Sequence, residues 1–448
     1  MKINKIIILK LIALVLFLLL SVSSLESQVW EKVPGTLSYV NFLKFSSKNK
    51  DKLYVGSDAE PTDFTTNNIP FLFFGYGFQI SNDGGKSFST PMLADYSVFD
   101  IYESNNSEVL LVSARKQNLG RVFYSSNNGS NWDEETKRCE STSQIVRFAK
   151  QSNATNETIV AAAINSNSGF RKTDNYFVDC NLSEQVQVNT RDISVSPKNS
   201  NIIYLAADNV SKSKVLVSKD GGNVWNDASV GIENYRVLSI QASPLEEETV
   251  LIGCDSVSPT GKIVGMGVFL SNDYGLSWRR VTNIDASVYD IQFHPSNPKF
   301  CAAAGGDKGV LISGTGGDYW EISKDGLPNS SFIRKVAVPD YTSNDNGIIV
   351  YASVYGDGIY KSKYITTSVD TKSDDNHIFI YPNPTNDFVS IIGQNIIDIE
   401  IFDLLGNKIT TEQFDGISLN LSNLKQGLYV LKLSNRDGIF YKKVMKSN

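Results

Sequence analysis

Three aspartates stand at the same place in three copies of a recurring segment. They are Asp100 in Val98-Phe-Asp-Ile101, Asp192 in Arg191-Asp-Ile-Ser-Val195 and Asp290 in Tyr289-Asp-Ile-Gln-Phe293. Paired carboxylates about 5–10 Å apart are the machinery of glycoside hydrolysis, one serving as acid and the other as base or nucleophile. Position alone makes these three the candidate catalytic residues. Aligning all copies on the residue before the first strand apolar gives Asn41, Asp100, Arg147, Asp192, Ser239, Asp290 and Lys335, all polar. One residue earlier lie Arg191, Tyr289 and Arg334. If the copies converge on one axis, such a ring marks a water-filled funnel. The candidate ligand-binding set is then Asn41, Asp100, Arg147, Arg191, Asp192, Tyr289, Asp290, Arg334 and Lys335. The plainer reading is mutual pairing, for example Arg147 between Asp100 and Asp192.

Other chemistries are excluded by residue type. His294 and His377 are the two histidines of the 448 residues, which argues against a His-cluster zinc site or a Ser-His-Asp triad. Calcium loops of the Asp-x-Asp-x-Asp form are absent, so no metal and no cofactor is expected. Gly75-Tyr-Gly77, Gly265-Met-Gly267 and Gly305-Gly306 precede strands, not helices, and do not read as phosphate cradles. With 42 Lys+Arg against 48 Asp+Glu the formal charge is −6, a poor balance for nucleic acid. An apolar content of 41% supports a sizeable core.

The elements that must position these residues repeat. Ser-x-Asp-x-Gly-x-x-Trp occurs in full at Ser218–Trp225 and Ser271–Trp278. Ser81 to Phe88 changes the aromatic; Ser125 to Trp132 has Asn127 for Asp; Ser313 to Trp320 has Thr315. A decayed copy begins at Thr173 and a truncated one ends at Ser362. Start positions 81, 125, 173, 218, 271, 313 and 362 are 44, 48, 45, 53, 42 and 49 residues apart. Asp-x-Gly is hairpin-turn chemistry, so Asp83, Asn127, Asp220 and Asp273, with Trp132, Trp225, Trp278 and Trp320, are expected to be structural. Each unit reads as about four short strands, which predicts an all-β, seven-bladed β-propeller. The last octet lacks its Trp and outer strand. Trp30-Glu-Lys-Val33 has the pattern of Trp278-Arg-Arg-Val281 and is expected to complete the seventh blade.

The octet resembles the Asp-box, or BNR repeat, of sialidases, sortilin-type ectodomains, xyloglucanase-type hydrolases and a photosystem assembly factor. That resemblance covers roughly residues 28–363 and implies architecture, not activity. The Phe-Arg-Ile-Pro segment of sialidases is missing; Phe332-Ile-Arg-Lys335 has the wrong order. The two-propeller cleft of xyloglucanase-type enzymes is also missing. The C-terminal part, with Ile378-Phe-Ile-Tyr-Pro-Asn-Pro-Thr385, Ile399-Glu-Ile-Phe-Asp-Leu-Leu-Gly-Asn407 and Gly427-Leu-Tyr-Val-Leu-Lys-Leu433, is similar to the C-terminal sorting domain of type IX secretion cargo in Bacteroidota. This implies a small β-sandwich over residues 378–448, contact with the secretion machinery, and a secreted or cell-surface product.

Lys2, Lys5 and Lys10 precede an apolar run from Leu11 to Leu20. Ten residues are too few to span a bilayer, so residues 1–27 read as a secretory signal peptide and the mature chain as lacking a transmembrane span. Residues 364–377 read as an exposed linker. Export permits disulfides; Cys139–Cys180 is the candidate pair, and Cys254 and Cys301 read as buried thiols. Pro70-Phe-Leu-Phe-Phe-Gly-Tyr-Gly-Phe78 is blade core or an exposed platform. The functional expectation is a monomeric, non-catalytic module binding a glycan or an extracellular protein; the alternative is a secreted glycoside hydrolase.

Overall fold

The structure, a computed structural model of the chain, describes residues 29–58, 75–117, 119–141, 144–152, 157–164, 169–178, 181–182, 186, 188–209, 212–340, 347–365 and most of 379–446. The expected signal peptide, residues 70–74, most of the linker, Cys180 and the side chain of Cys139 lie outside the described residues. The chain divides into two units, Met1–Thr367 and Ser368–Asn448.

Alternating and near-continuous apolar runs bounded by Asp-Gly and Ser-Pro turns make every described element a strand. In the first unit the strands fall, among the described residues, into seven antiparallel sheets. Their first strands are Val40–Phe45, Ser97–Glu103, Gln144–Ser152, Asn189–Val195, Arg236–Ala242, Ile291–Phe293 and Ile333–Ala337. Each contacts the next, and the seventh contacts the first. The ring is closed by the N-terminal segment: Glu31, Lys32 and Val33 pair with Lys361, Tyr360 and Ile359 on the outer side of the last sheet. This gives the last sheet a short fourth strand on its outer side.

The octet turns share one set of bonds. Asp220 Oδ1 accepts from the N–H groups of Asn223 and Val224 at 3.0 and 2.9 Å. Ser218 Oγ accepts from Gly222 N–H at 2.8 Å and donates to Asp220 at 2.8 Å. Asp83 and Asp273 repeat the pattern, and Asn127 and Thr315 supply the same acceptor. The decayed copy keeps it through Thr173 and Asn175. Gly317 sits at φ +99°, where a Cβ would lie 2.6 Å from Leu251; the turn needs glycine for both reasons.

The tryptophans do not sit simply beneath their turns. Each packs into the core shared with the preceding sheet: Trp132, Trp225, Trp278 and Trp320 each join a cluster drawn from two adjacent sheets. Trp30 fills that place for the last pair, which explains why the truncated final octet needs no Trp of its own. Trp320 is 2% exposed and donates to Gly317 O at 2.8 Å, whereas Trp225 is half-buried.

Carboxylates also cap turns of the adjacent sheet. Glu103 accepts from Ser46 Oγ at 2.8 Å and Ser47 N–H at 2.9 Å, and Glu157 accepts from Asn105 N–H at 2.8 Å. Burial pushes the Glu157 carboxyl up, but Lys150, Ser104 and Asn105 outweigh it and hold it at about 2. His294 is buried and accepts from Asn297 N–H at 2.9 Å through Nδ1. This is the part played by Ser46, which accepts from Asn49 N–H at 3.0 Å. The histidine is a turn cap. Cys254 and Cys301 are buried free thiols.

In the second unit, sheets of three and four strands cover one core of Val389, Ile391, Ile401, Leu419, Tyr429, Leu431, Leu433 and Val444. The strand before the linker, Gly358–Ile365, ends two residues beyond the expected boundary at 363.

Trp320→Ala is expected to cost about 3–5 kcal/mol in denaturant unfolding, and Trp225→Ala clearly less. Deleting residues 28–33 should lower the melting temperature by more than either substitution. Glu157 lies below its unfolded value near 4.5, so its contribution is complete at neutral pH and is lost as pH falls from about 4.5 to about 2. Glu157→Gln should flatten that part of the stability–pH curve.

Candidate functional site

The first strands owe their arrangement at the axis to a shared irregularity. Pairing of first with second strand shifts between Val40/Phe42, Val98/Asp100, Thr190/Asp192, Val237/Ser239 and Ile333/Lys335. The third sheet shows the same shift opposite Ala162/Ala163. Each shift is a β-bulge, which inserts one unpaired residue and re-aims the side chains beside it. The inserted residues are Asn41, Phe99, Val146, Arg191, Leu238 and Arg334; Tyr289 stands at the matching place in the sixth sheet.

This corrects the alignment expected for the first sheet. Phe42, paired with Gly56 as Asp100 is with Ser113, takes the place assigned to Asn41, and it is 2% exposed. The ring at that register is therefore Phe42, Asp100, Arg147, Asp192, Ser239, Asp290 and Lys335. Asn41 belongs with Arg191, Tyr289 and Arg334, one residue nearer the N-terminal ends of the strands.

The three aspartates converge on the axis, and they are committed. Asp100 Oδ1 accepts from Ile101 N–H at 2.8 Å, and Oδ2 from Phe148 N–H of the next sheet at 2.7 Å. Asp192 does the same with Ile193 and Ile240, each at 2.9 Å. Asp290 Oδ2 accepts from Val336 N–H at 3.3 Å. Alternate sheets thus clasp the following one through a carboxylate. Arg147 fills the centre, with Nε 3.1 Å from Asp192 Oδ1 and a terminal nitrogen 3.2 Å from Asp290 Oδ1. The expected partner Asp100 is not one of its ion pairs; it lies 3.6 Å from Lys44. Burial works against the charge on Arg147, but Asp192, Asp290 and Asp100 together raise its pKa. Burial raises Asp192, opposed by Arg147 and Lys335. Burial lowers Lys335, opposed by Asp290.

This cluster divides two cavities. At the N-terminal ends of the first strands, a cavity of about 360 Å³ is lined by Asn41, Phe99, Val146, Arg191, Leu238, Tyr289 and Arg334, together with Ile164, Asn189 and Lys335. The first seven are the bulge residues and Tyr289. At the C-terminal ends, a cavity of about 850 Å³ is lined by Lys44, Asp100, Arg147, Ser194, Gln241 and Gln292 among others. The octet turns lie on this second face, bonded to the first turns of their own sheets, as Gly84 N–H is to Asp51 O at 2.8 Å. Of the expected ligand-binding set, Asn41, Arg191, Tyr289, Arg334 and Lys335 reach the first cavity and Asp100 and Arg147 the second. Asp192 and Asp290 are 6% and 1% exposed.

Lys44, Ser194, Gln241 and Gln292 had no place in the expected set. They stand two residues beyond the ring register, and period-2 alternation along the strand is the signal that finds them. Phe99, Val146 and Leu238 were hidden because an apolar residue in a strand reads as core. Among the described residues no cluster of metal-ligand side chains occurs, and no described helix is long and apolar enough to cross a membrane.

Residues 379–447 match the model of the secretion system C-terminal sorting domain. The structure of YCF48 bound to a D1 peptide is similar, with a TM-score of 0.50 and 12% identity over 78% of this chain and 98% of that one. A chain of the mitotic checkpoint complex also has a TM-score of 0.50 at 12% identity, over 77% of this chain and 94% of that one. The endo-acting ulvan lyase of Formosa agariphila is 22% identical over 247 residues, which is 54% of this chain and 40% of that enzyme. At such identities the structural likeness speaks to fold alone. The chain is thus an all-β propeller protein carrying a type IX secretion sorting domain, exported to the cell surface or secreted.

Proposed function

We propose that the exported propeller is a non-catalytic binding module that holds a glycan or an extracellular protein at a mouth of its axial tunnel. The observation that carries this reading is the commitment of the central carboxylates. Asp100, Asp192 and Asp290 each hold a backbone N–H of the next sheet and face a cation. A hydrolase needs two carboxyl groups open to one substrate, one with a raised pKa. Asp192 has the raised pKa, but both its oxygens are occupied. The open surface lies instead at the mouths, where polar and aromatic side chains line concave cavities. The similarity to an ulvan lyase supports carbohydrate as the class of ligand.

A glycan array and a panel of chromogenic glycosides should be run on the same full-chain protein. Binding without turnover is the expected result. Turnover that Asp192→Asn or Asp290→Asn abolishes, in variants that still fold, would establish the hydrolase. As a structural clasp, Asp192→Ala should cost about 3–5 kcal/mol in denaturant unfolding, because it strands part of the Arg147 charge and two N–H groups. A change near zero would free Asp192 for chemistry.

A further inference from the structure

We propose that the mouth at the N-terminal ends of the first strands is a subsite for an acidic sugar, a pyranose bearing a carboxylate or a sulfate. Arg191, Arg334 and Lys335 would hold the anion, and the tyrosines of the rim would carry the adjoining sugar rings. The inference rests on the binding-module reading and names its ligand class.

Three observations lead there. The first is the charge of the cavity. Its lining holds three cations and no carboxylate. Asp192 and Asp290 lie outside the lining, bonded to backbone N–H groups and Arg147 and acting on Lys335 as well, and Asp255 is bonded to Arg236 twice at 2.6 Å. The chain as a whole carries a formal charge of −6, so this cationic mouth is a local feature and not part of a basic surface. Arginine forks match the paired oxygens of carboxylate and sulfate.

The second is the row of aromatic rings leading from the cavity. Tyr289 is in its wall. Arg334 lies 5.1 Å from the centre of the Tyr355 ring. Tyr355 meets Tyr39 edge-on at 5.4 Å, and Tyr39 stacks on Tyr76 at 6.2 Å and 15°. Tyr76 is 43% exposed. Amphipathic rings with a wet edge suit the apolar faces of sugars, whose hydroxyls stay in water.

The third is size. At about 360 Å³ the cavity stands near the lower end of ligand cavities, roughly 300–1,000 Å³. It suits a single sugar unit with the rest of the chain outside, along the tyrosines.

Titration calorimetry on the full chain tests this with three probes: trigalacturonate, a sulfated galactose disaccharide and neutral maltotriose. The two acidic probes distinguish carboxylate from sulfate as the source of the anion. At least one should bind roughly tenfold or more tightly than maltotriose, and added NaCl should weaken it. Arg334→Gln and Arg191→Gln should each weaken it roughly tenfold in variants that keep the β-sheet circular dichroism of the parent, and Arg334→Lys should restore part of the loss. Equal affinity for acidic and neutral probes, affinity indifferent to salt and to all three variants, or no acidic probe bound at millimolar concentration would overturn the proposal. Maltotriose bound without regard to the arginines would remove the acidic subsite and leave the binding module standing. An acidic probe held through the arginines and then cleaved would keep the subsite and remove the non-catalytic reading.

Discussion

The structure depends on a carboxylate that reaches across from one sheet to the next. Asp100, Asp192 and Asp290 each lie beside a β-bulge or its equivalent, and each accepts the N–H of a strand in the neighbouring sheet. Most of the contact between sheets packed face to face is apolar, which fixes distance better than register. A charged acceptor in a low-dielectric centre is directional and costly to leave unpaired. Three such clasps around one arginine therefore set the register of alternate interfaces and close the middle of the tunnel together.

This arrangement assigns division of labour along the axis. On the proposed reading the centre is structural and a ligand meets the mouths. The bulges serve both ends of that division: they turn the aspartates toward the neighbouring strand, and the residues they insert line the N-terminal cavity. The octets work on the other face, bonding their turns to the first turns of the sheets while their tryptophans fill the space toward the preceding sheet. Export is handled separately by a C-terminal unit with its own core.

Much of this was legible in the sequence. The 45-residue recurrence gave the strand order, and Trp30-Glu-Lys-Val33 gave the closing strand, because both are written in local turn and aromatic chemistry. The sorting domain was equally legible from its separated motifs. The ring at the axis was readable to within one residue. Asn41 was misplaced because a bulge breaks the alternation on which the alignment relies, and no residue type announces a bulge at Val40-Asn41-Phe42. Of the two expected partners of Arg147, Asp192 holds and Asp100 was misjudged for a different reason. Asp100 is adjacent to it in sheet order, but a side chain at the axis can reach across the ring to Asp290. Which aspartate oxygens are already occupied is a property of backbone placement, and spacing does not carry it.

The measurement closest to the central claim is native-state hydrogen exchange at the amides of Phe148, Ile240 and Val336. If the aspartates clasp neighbouring sheets, these three amides should exchange only through global unfolding, with protection matching the most stable strands of the ring. Exchange through local opening, at free energies well below that of global unfolding, would show that the carboxylates are free of the backbone and would contradict the account.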